Sequence, residues 1–569
     1  MLSLGESMKN KKSLLAIMLV VLFGIVGGTV AYYQTTNTFS NVFNTGKYKI
    51  VTEETFESPP NWKPGDNTPK EFTVKNEGDV PAAVKVCLED KWEDKDGNEL
   101  LLIDDLSRPA VLLNYNEDYQ EYWKHDCDET KRCYYYHTIL EPNEETTPLL
   151  ESVIYNLYFD PGSENVCTTD QETHVTTCTS TDDGYSGGKY TLDIKIETVQ
   201  ANKYKEVWGD ITYLDPDTYE CENFELRSRN FYNNTLRTQI PFTELEEKML
   251  LFGTPIERAS VEKLQIVNNK NIPNNALGSY DVSYLKDESV LLWYTDVDND
   301  DLYEVYIGAN GNVVANPNSK YAFSHLYNLE SIDLEKLDIS NVTNMRHMFD
   351  SSMSNINNFD FSFVSNWDVS KVTNMDSMFN EAGRSATTWT IGDLSNWNTG
   401  NVKNMRHMFQ YAGHGAQNFN ISFIANWDVS NVVEMDNMFT SAGYNSSVFN
   451  VGNLSNWDTR NVKSMHGMFQ NAGYYATTWN SIGTLKVYGA EIGSMFFDCR
   501  KCKATINLYG NPQKYYDLTD NPYYWAFRDA VTSSGALITV NYTSDTTEIN
   551  NIIATKSSNS NVVKGSIIN

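Results

Sequence analysis

The chain has 569 residues, enough for three or four domains at roughly 100–200 residues each, and a formal net charge of −31. With 40% hydrophobic and 21% charged residues it is not a disordered chain overall, and its self-repulsion argues against binding nucleic acid or an anionic membrane surface through charge. From 32 to 209, 34 Asp and Glu stand against 16 Lys and Arg, a net of −18, so the first third holds more than half of the excess. That acidity reads as solubility outside the cell, with diffuse capture of divalent cations as the alternative.

Residues 1–31 read as a secretory signal. Lys9, Lys11 and Lys12 form a basic start, Leu14 to Val26 an apolar run, and Gly27-Gly28 a break before the small residues at Ala31, the expected cleavage point. The alternative is an uncleaved anchor, since Leu14 to Tyr33 is about long enough to span a bilayer at ~1.5 Å per residue. Membrane contact is expected only in that case. An exported chain permits disulfides. Of the eight cysteines, Cys127 and Cys133 lie close in sequence, as do Cys167 and Cys178, and each pair could close a hairpin-like loop. Cys87 and Cys221 are left without an assigned partner.

Residues 32–209 alternate like half-buried strands: Phe72 and Val74, then Val84, Val86 and Leu88, then Leu192, Ile194 and Ile196 on inward faces. Short strands broken by turns such as Asn76 to Asp79 predict an antiparallel β-sandwich. The segments "GGTVAYY", "WKPGDNTPKEFTVKNEGDVPAAVKV", "LEPNEETTPLLESVIYN" and "YTLDIKIETVQANKYKEVWG" resemble the TasA, camelysin and BsaA group of proteins, which depend on a dedicated signal peptidase. The resemblance implies a jelly-roll-like domain of biofilm-matrix proteins. It also implies self-assembly in which the freed segment from Tyr32 to Val51 pairs with an edge of the next subunit. The long C-terminal extension leaves a monomeric or wall-associated domain as the alternative. Camelysin-type members have been described as proteases. No HExxH motif, nucleophile–base set or phosphate loop is present, so no enzymatic activity and no cofactor are expected.

Residues 210–280 read as a linker and spacer, with a short amphipathic helix over Glu244 to Phe252, and 281–336 as the cap of a repeat array. Asp296, Asp298 and Asp300 form a DxDxD run. An EF-hand loop would need Gly and Glu where Asp301 and Ile307 stand, so an acidic turn is expected and no metal site.

Residues 337–510 repeat every 30 residues. Met345, Met375, Met405, Met435 and Met465 keep that spacing, as do Phe349, Phe379, Phe409, Phe439 and Phe469, and Trp367, Trp397, Trp427 and Trp457. Met495-Phe496 marks a degenerate sixth copy. Val402, Met405, Met408 and Phe409 share one face of a short helix on this spacing, so each unit is expected to give one strand and one helical turn. The Met and aromatic columns read as packing rather than a metal or cofactor box. Asn341, Asn401, Asn431 and Asn461 read as an asparagine ladder capping backbone groups, and the histidines as scattered polar positions. "WDVSNV" with "MxxMF" resembles BspA-like leucine-rich-repeat surface proteins, which implies an α/β solenoid, surface display, and adhesion to a protein or matrix ligand. The loops after each Ala-Gly, "RSATTW", "HGAQNF", "YNSSVF" and "YYATTW", vary while the core columns do not, and recognition is expected there. Cys499 and Cys502 are expected to form a local disulfide, and 511–569 a C-terminal cap and tail. The whole reads as a secreted surface or matrix protein with a structural role, or alternatively as an adhesin.

Overall fold

The computed structural model describes residues 30–32, 48–55, 64–94, 96–103, 108–116, 119–128, 131–156, 165–169, 176–180, 189–214, 221–239, 249–515, 521–544 and 547–568. They form two units, 1–231 and 232–569, built mostly of short β-strands in many small sheets. Among the described residues no helix is long and apolar enough to cross a membrane. The signal segment before Val30 and most of the expected donor segment lie outside them.

In the first unit, β-branched residues alternating with polar ones produce strands that bury one face. Lys189–Gln200 pairs antiparallel with Ala82–Glu93 along its full length, and Arg132–Tyr136 and Trp123–His125 extend that sheet. Phe72, Val74, Val84, Val86, Leu88, Ile194 and Ile196 meet in one core with Trp123 and Tyr136, while Leu192 is only half-buried. Val30–Tyr32, which spans the expected cleavage point Ala31, pairs in parallel with Lys195 to Glu197 on the sheet's edge.

The expected Cys127 and Cys133 pairing is corrected. Cys133 stands opposite Cys87 in strand register and is bonded to it, with Cα atoms 4.0 Å apart. Cys127 follows Asp126, which bridges to Tyr213, and Tyr213 lies on a hairpin whose other strand carries Cys221; Cys127 is bonded to Cys221. Strand register, not closeness in sequence, therefore decides both bonds. Cys167 and Cys178 stand opposite each other in backbone register.

The 210–280 spacer is also corrected. Ile211–Leu214 and Cys221–Phe224 form the hairpin just named, and Ile211 and Leu226 are buried in the first unit. Leu236, Leu251, Phe252 and Ile256 are buried in the second unit, and Val261–Val267 is an inner strand of a five-stranded sheet. That sheet caps the repeat array, so the cap begins well before residue 281. Of the expected Glu244 to Phe252 helix, 244–248 lie outside the described residues, and Met249 to Phe252 are not helical.

In the second unit each 30-residue segment is one coil, and successive coils stack in parallel register: Asn344, Asn374, Asn404, Glu434, Ser464 and Glu491 bridge in sequence. The strand pieces are short, such as Asn418–Asn420 beside Val448–Asn450 beside Thr478–Trp479. The helical turn expected at Val402, Met405, Met408 and Phe409 is absent, and the coils carry 3-10 turns elsewhere, at Ser362–Asn366, Ser422–Asn426 and Leu454–Asn456. The N–H groups of Met405, His407, Phe409 and Tyr411 donate to carbonyls of the next coil at 2.8–3.0 Å, whereas those of Met408, Gln410 and Ala412 donate three residues back within their own coil at 3.0–3.3 Å. An α-helix, past its first turn, would donate every N–H to the carbonyl four residues back in its own segment. A ribbon of turns also places i, i+3 and i+4 on one face, so the apolar spacing does not separate the two. The ribbon needs left-handed residues, His407 at φ 55° and Tyr411 at φ 54°, each costing on the order of 1 kcal/mol. The lateral hydrogen bonds and the core offset that cost.

All five repeat methionines and phenylalanines are buried. The phenylalanine column stacks without interruption from Phe323 to Phe527, with centroids 5.3–6.0 Å apart. It thus runs one coil past Phe496 into the expected tail. There, four parallel strands, Thr484–Val487, Lys503–Leu508, Leu537–Tyr542 and Val562–Ile567, continue the stack. Trp397, Trp427 and Trp457 each donate their indole N–H at 3.0 Å to a carbonyl of the preceding coil, while Trp367 is half-buried. The glycine of each Ala-Gly is required. Gly443 sits at φ 51°, and a Cβ there would lie 2.5 Å from Cβ of Phe419.

Candidate ligand-binding face

The columns expected to carry the core point inward, and the residues after each Ala-Gly form one of the exposed stretches of the coil. Arg384, His414, Tyr444 and Tyr474 occupy one 30-residue phase there. His414 stacks on Tyr444 and Tyr444 on Tyr474, each with centroids 4.7 Å apart. A guanidinium closes one end, Arg500 lying 4.0 Å over Tyr474, while Arg384 lies 4.9 Å over Tyr411, outside the ladder. Burial, then the Arg384 charge, lowers the His414 pKa, so the ring is neutral near pH 7. Tyr475 breaks the pattern. It stands nearly perpendicular to Tyr444 and Tyr474, at 84° and 73°, and is 61% exposed. This planar ladder is legible in the 30-residue phase of Arg384, His414, Tyr444 and Tyr474, although those positions fall in the loops that vary from repeat to repeat.

Beside the ladder, the next segment of each coil alternates buried and open positions. Ser385, Thr387, Thr388 and Thr390 are exposed, with Ala386 and Trp389 buried. Gly415, Gln417, Asn418 and Asn420 repeat this one coil on, then Asn445, Ser447, Val448 and Asn450, then Tyr475, Thr477, Thr478 and Asn480. None of these sixteen open or half-open positions is charged, although charged residues make up 21% of the chain. Some join side chain to side chain between coils, as Thr388 to Asn358 at 2.6 Å and Asn450 to Asn420 at 3.0 Å.

A second ladder on the turn ribbon is ionic. Arg346, Asp376, Arg406, Asp436 and His466 share one phase. Arg346 pairs with Asp376 at 3.2 Å, and His407 Nδ1 lies 3.6 Å from the same carboxylate. His347 Nδ1 lies 2.6 Å from Asp350, and His466 Nδ1 3.6 Å from Glu491. The expectation of scattered histidines is thereby corrected, since each of these three faces a carboxylate. Burial would raise the pKa of Asp376, but His407, His347 and Arg346 outweigh it and hold the group at about 2. Asp436, in the same column, is raised by burial against the hydrogen bond from Ser464. A slip by one coil would set Arg346 against Arg406 and Asp376 against Asp436, so this ladder specifies register.

The asparagine ladder stands at three of its four expected positions, and Asn341 instead accepts from a lysine side chain. Asn401, Asn431 and Asn461 each donate at 2.7 Å to a carbonyl of the coil before, and Lys371 fills that column's second place by donating to Asn341 Oδ1 at 2.8 Å. Cys499 and Cys502 are bonded and buried. Asp296, Asp298 and Asp300 bring carboxylates within 4.8 Å of one another, the one such group of three among the described residues. Asp296 accepts the N–H of Asn299 at 2.7 Å, as an acidic turn does.

Residues 318–420 and 384–509 match a family described as Mycoplasma protein of unknown function, DUF285. Residues 8–198 match the family described as camelysin metallo-endopeptidase. No curated protein matches the chain. No solved structure matches it either. The expectation of no enzymatic activity is corrected by the second match, which puts a third of the chain in the likeness of a peptidase family; a missing HExxH motif is therefore no ground for that expectation. The described residues of the matched stretch do not fit a metal centre. No three His, Cys, Asp or Glu side chains converge there. His137 is buried between Tyr122 and Tyr136, with its pKa driven well below 6.5 by burial. His174 lies outside the described residues.

Proposed function

We propose that the chain is an exported bacterial surface or matrix protein whose leucine-rich-repeat-like coil stack presents a binding face. In this reading the acidic first unit, a jelly-roll-like sandwich, attaches or assembles the molecule. The observation that carries the reading is the contrast within each coil. Inward columns repeat Met, Phe and Trp without change, whereas the open columns from Arg384 to Tyr475 differ from coil to coil on a rigid array. Likeness to the two families supports the surface setting. Cleavage near Ala31 would cut the Val30–Tyr32 strand and free the edge at Lys195 to Glu197 for another chain's segment.

Two measurements test this. The mature chain, fluorescently tagged, should adhere to cells or matrix material, and exchanging the open residues of two coils should abolish adhesion. Electron micrographs with and without residues 32–51 test assembly: fibres lost on deletion support it, and discrete particles in both samples defeat it.

A second reading, proteolysis by the first unit, rests on the camelysin match. Cleavage of a protein substrate by the purified chain, measured with and without chelator, decides it.

A further inference from the structure

Resting on the display reading above, we infer that the uncharged face between Arg384 and Asn480 binds a neutral glycan laid along the coil stack. Three observations converge on this ligand chemistry. The sixteen open positions are charge-free across four successive coils in a strongly acidic chain, with exposed charge only at the margin, as at Asp360 beside Thr390 and at Arg384, so they themselves offer no complement to an anionic or cationic partner. What it offers is hydroxyl and carboxamide groups, as at Thr388, Asn418 and Thr478, each able both to donate and to accept. A polyhydroxylated ligand needs that pairing: every hydroxyl it buries must find a partner or lose the hydrogen bonds it had in water.

The third observation is the ring at its margin. Tyr444 and Tyr474 use their faces on one another and on Arg500. They therefore present edges and hydroxyl groups rather than platforms. Tyr475 alone stands across them, 61% exposed. An open aromatic ring supplies the apolar surface that the C–H face of a pyranose covers, beside groups that bind its hydroxyls. The stack also matches a polymer better than a single sugar. Two of the open columns, Thr387/Gln417/Ser447/Thr477 and Thr390/Asn420/Asn450/Asn480, carry a hydroxyl or carboxamide on every coil, at about 4.8 Å, so consecutive sugar units meet related partners. Stacking and inter-coil hydrogen bonds hold the array before any ligand arrives, which lowers the ordering cost of binding.

The test is isothermal titration of the full mature chain with two neutral β-1,4-linked hexasaccharides, one of glucose and one of N-acetylglucosamine, and with an anionic hexamer of galacturonic acid. At least one neutral hexamer should bind, and the anionic one at least tenfold more weakly. Tyr475→Ala and Asn418→Glu, both at open positions and checked for unchanged melting, should each weaken neutral binding tenfold or more. Absence of neutral binding, equal binding of the anionic hexamer, or indifference to either substitution overturns the inference. The display reading is scored separately: adhesion that persists while neither neutral hexamer binds sinks the glycan and leaves display standing. Loss of adhesion as well sinks both.

Discussion

The two units hold their sheets together in opposite ways. The first pairs segments far apart in sequence, Ala82–Glu93 with Lys189–Gln200, and staples them with Cys87–Cys133 and Cys127–Cys221, the latter 94 residues apart. The coil stack of the second pairs each segment with one about 30 residues away and repeats the bond. Covalent closure matters most where chain entropy is largest; the stack relies instead on many equal neighbour contacts.

That contrast can be broken by reduction. Removing the Cys127–Cys221 bond should cost the first unit about 4–5 kcal/mol on the chain-entropy estimate, and the short Cys499–Cys502 bond about 2 kcal/mol. Calorimetry with reductant should therefore lower the first unit's melting transition far more than the second's. Equal shifts would erase the distinction drawn here. Phe409→Ala, which opens the middle of the phenylalanine column, should cost about 3–5 kcal/mol and leave the first unit's transition in place.

Acid touches both units through buried neutral histidines. His137 is pushed well below 6.5, and His325 to about 4, burial being the main cause in each. The unfolded chain binds these protons first, so stability falls as pH drops below 6.5. For His325 the loss reaches about 3 kcal/mol by pH 4, at roughly 1.4 kcal/mol per unit. Below that, Asp376 adds its own loss as pH falls from about 4 through about 2, because its folded-state pKa is depressed. Denaturant titrations at pH 7, 5 and 4 on wild type and His325→Phe should show a smaller acid loss in the variant. The mildest expected effect is Asn431→Ala, about 1 kcal/mol for one hydrogen bond to Gly400, read as a small shift in denaturant midpoint.

The inward strand residues, the 30-residue register and the asparagine ladder were all legible, because burial alternation and repeat phase leave direct marks in sequence. Three features were not. Cys127 pairs with Cys221 through strand register, which depends on contacts across 94 residues. The turn ribbon shares its apolar spacing with a helix, and only the destination of each N–H separates them. Val261–Val267 was read as spacer because the strand sits apart from the Met–Phe–Trp phase, although Leu264 and Ile266 alternate inward. The site was half legible: the variable loops pointed to it, and the planar ladder within them needed the polar columns to be read in phase.

The parallel register has a consequence for how such a chain can change. Because equivalent atoms recur every 30 residues, deleting or duplicating one unit rejoins like to like: Phe to Phe, Ala-Gly to Ala-Gly, left-handed residue to left-handed residue. A length change that would wreck the first unit keeps the second's core columns in phase: removing one unit breaks the Arg346–Asp376–Arg406–Asp436 alternation, and removing two together restores it. Each unit gained or lost moves the end strands by about 4.8 Å relative to the cap. The stack is thus a spacer graduated in coils, whose reach follows the number of units.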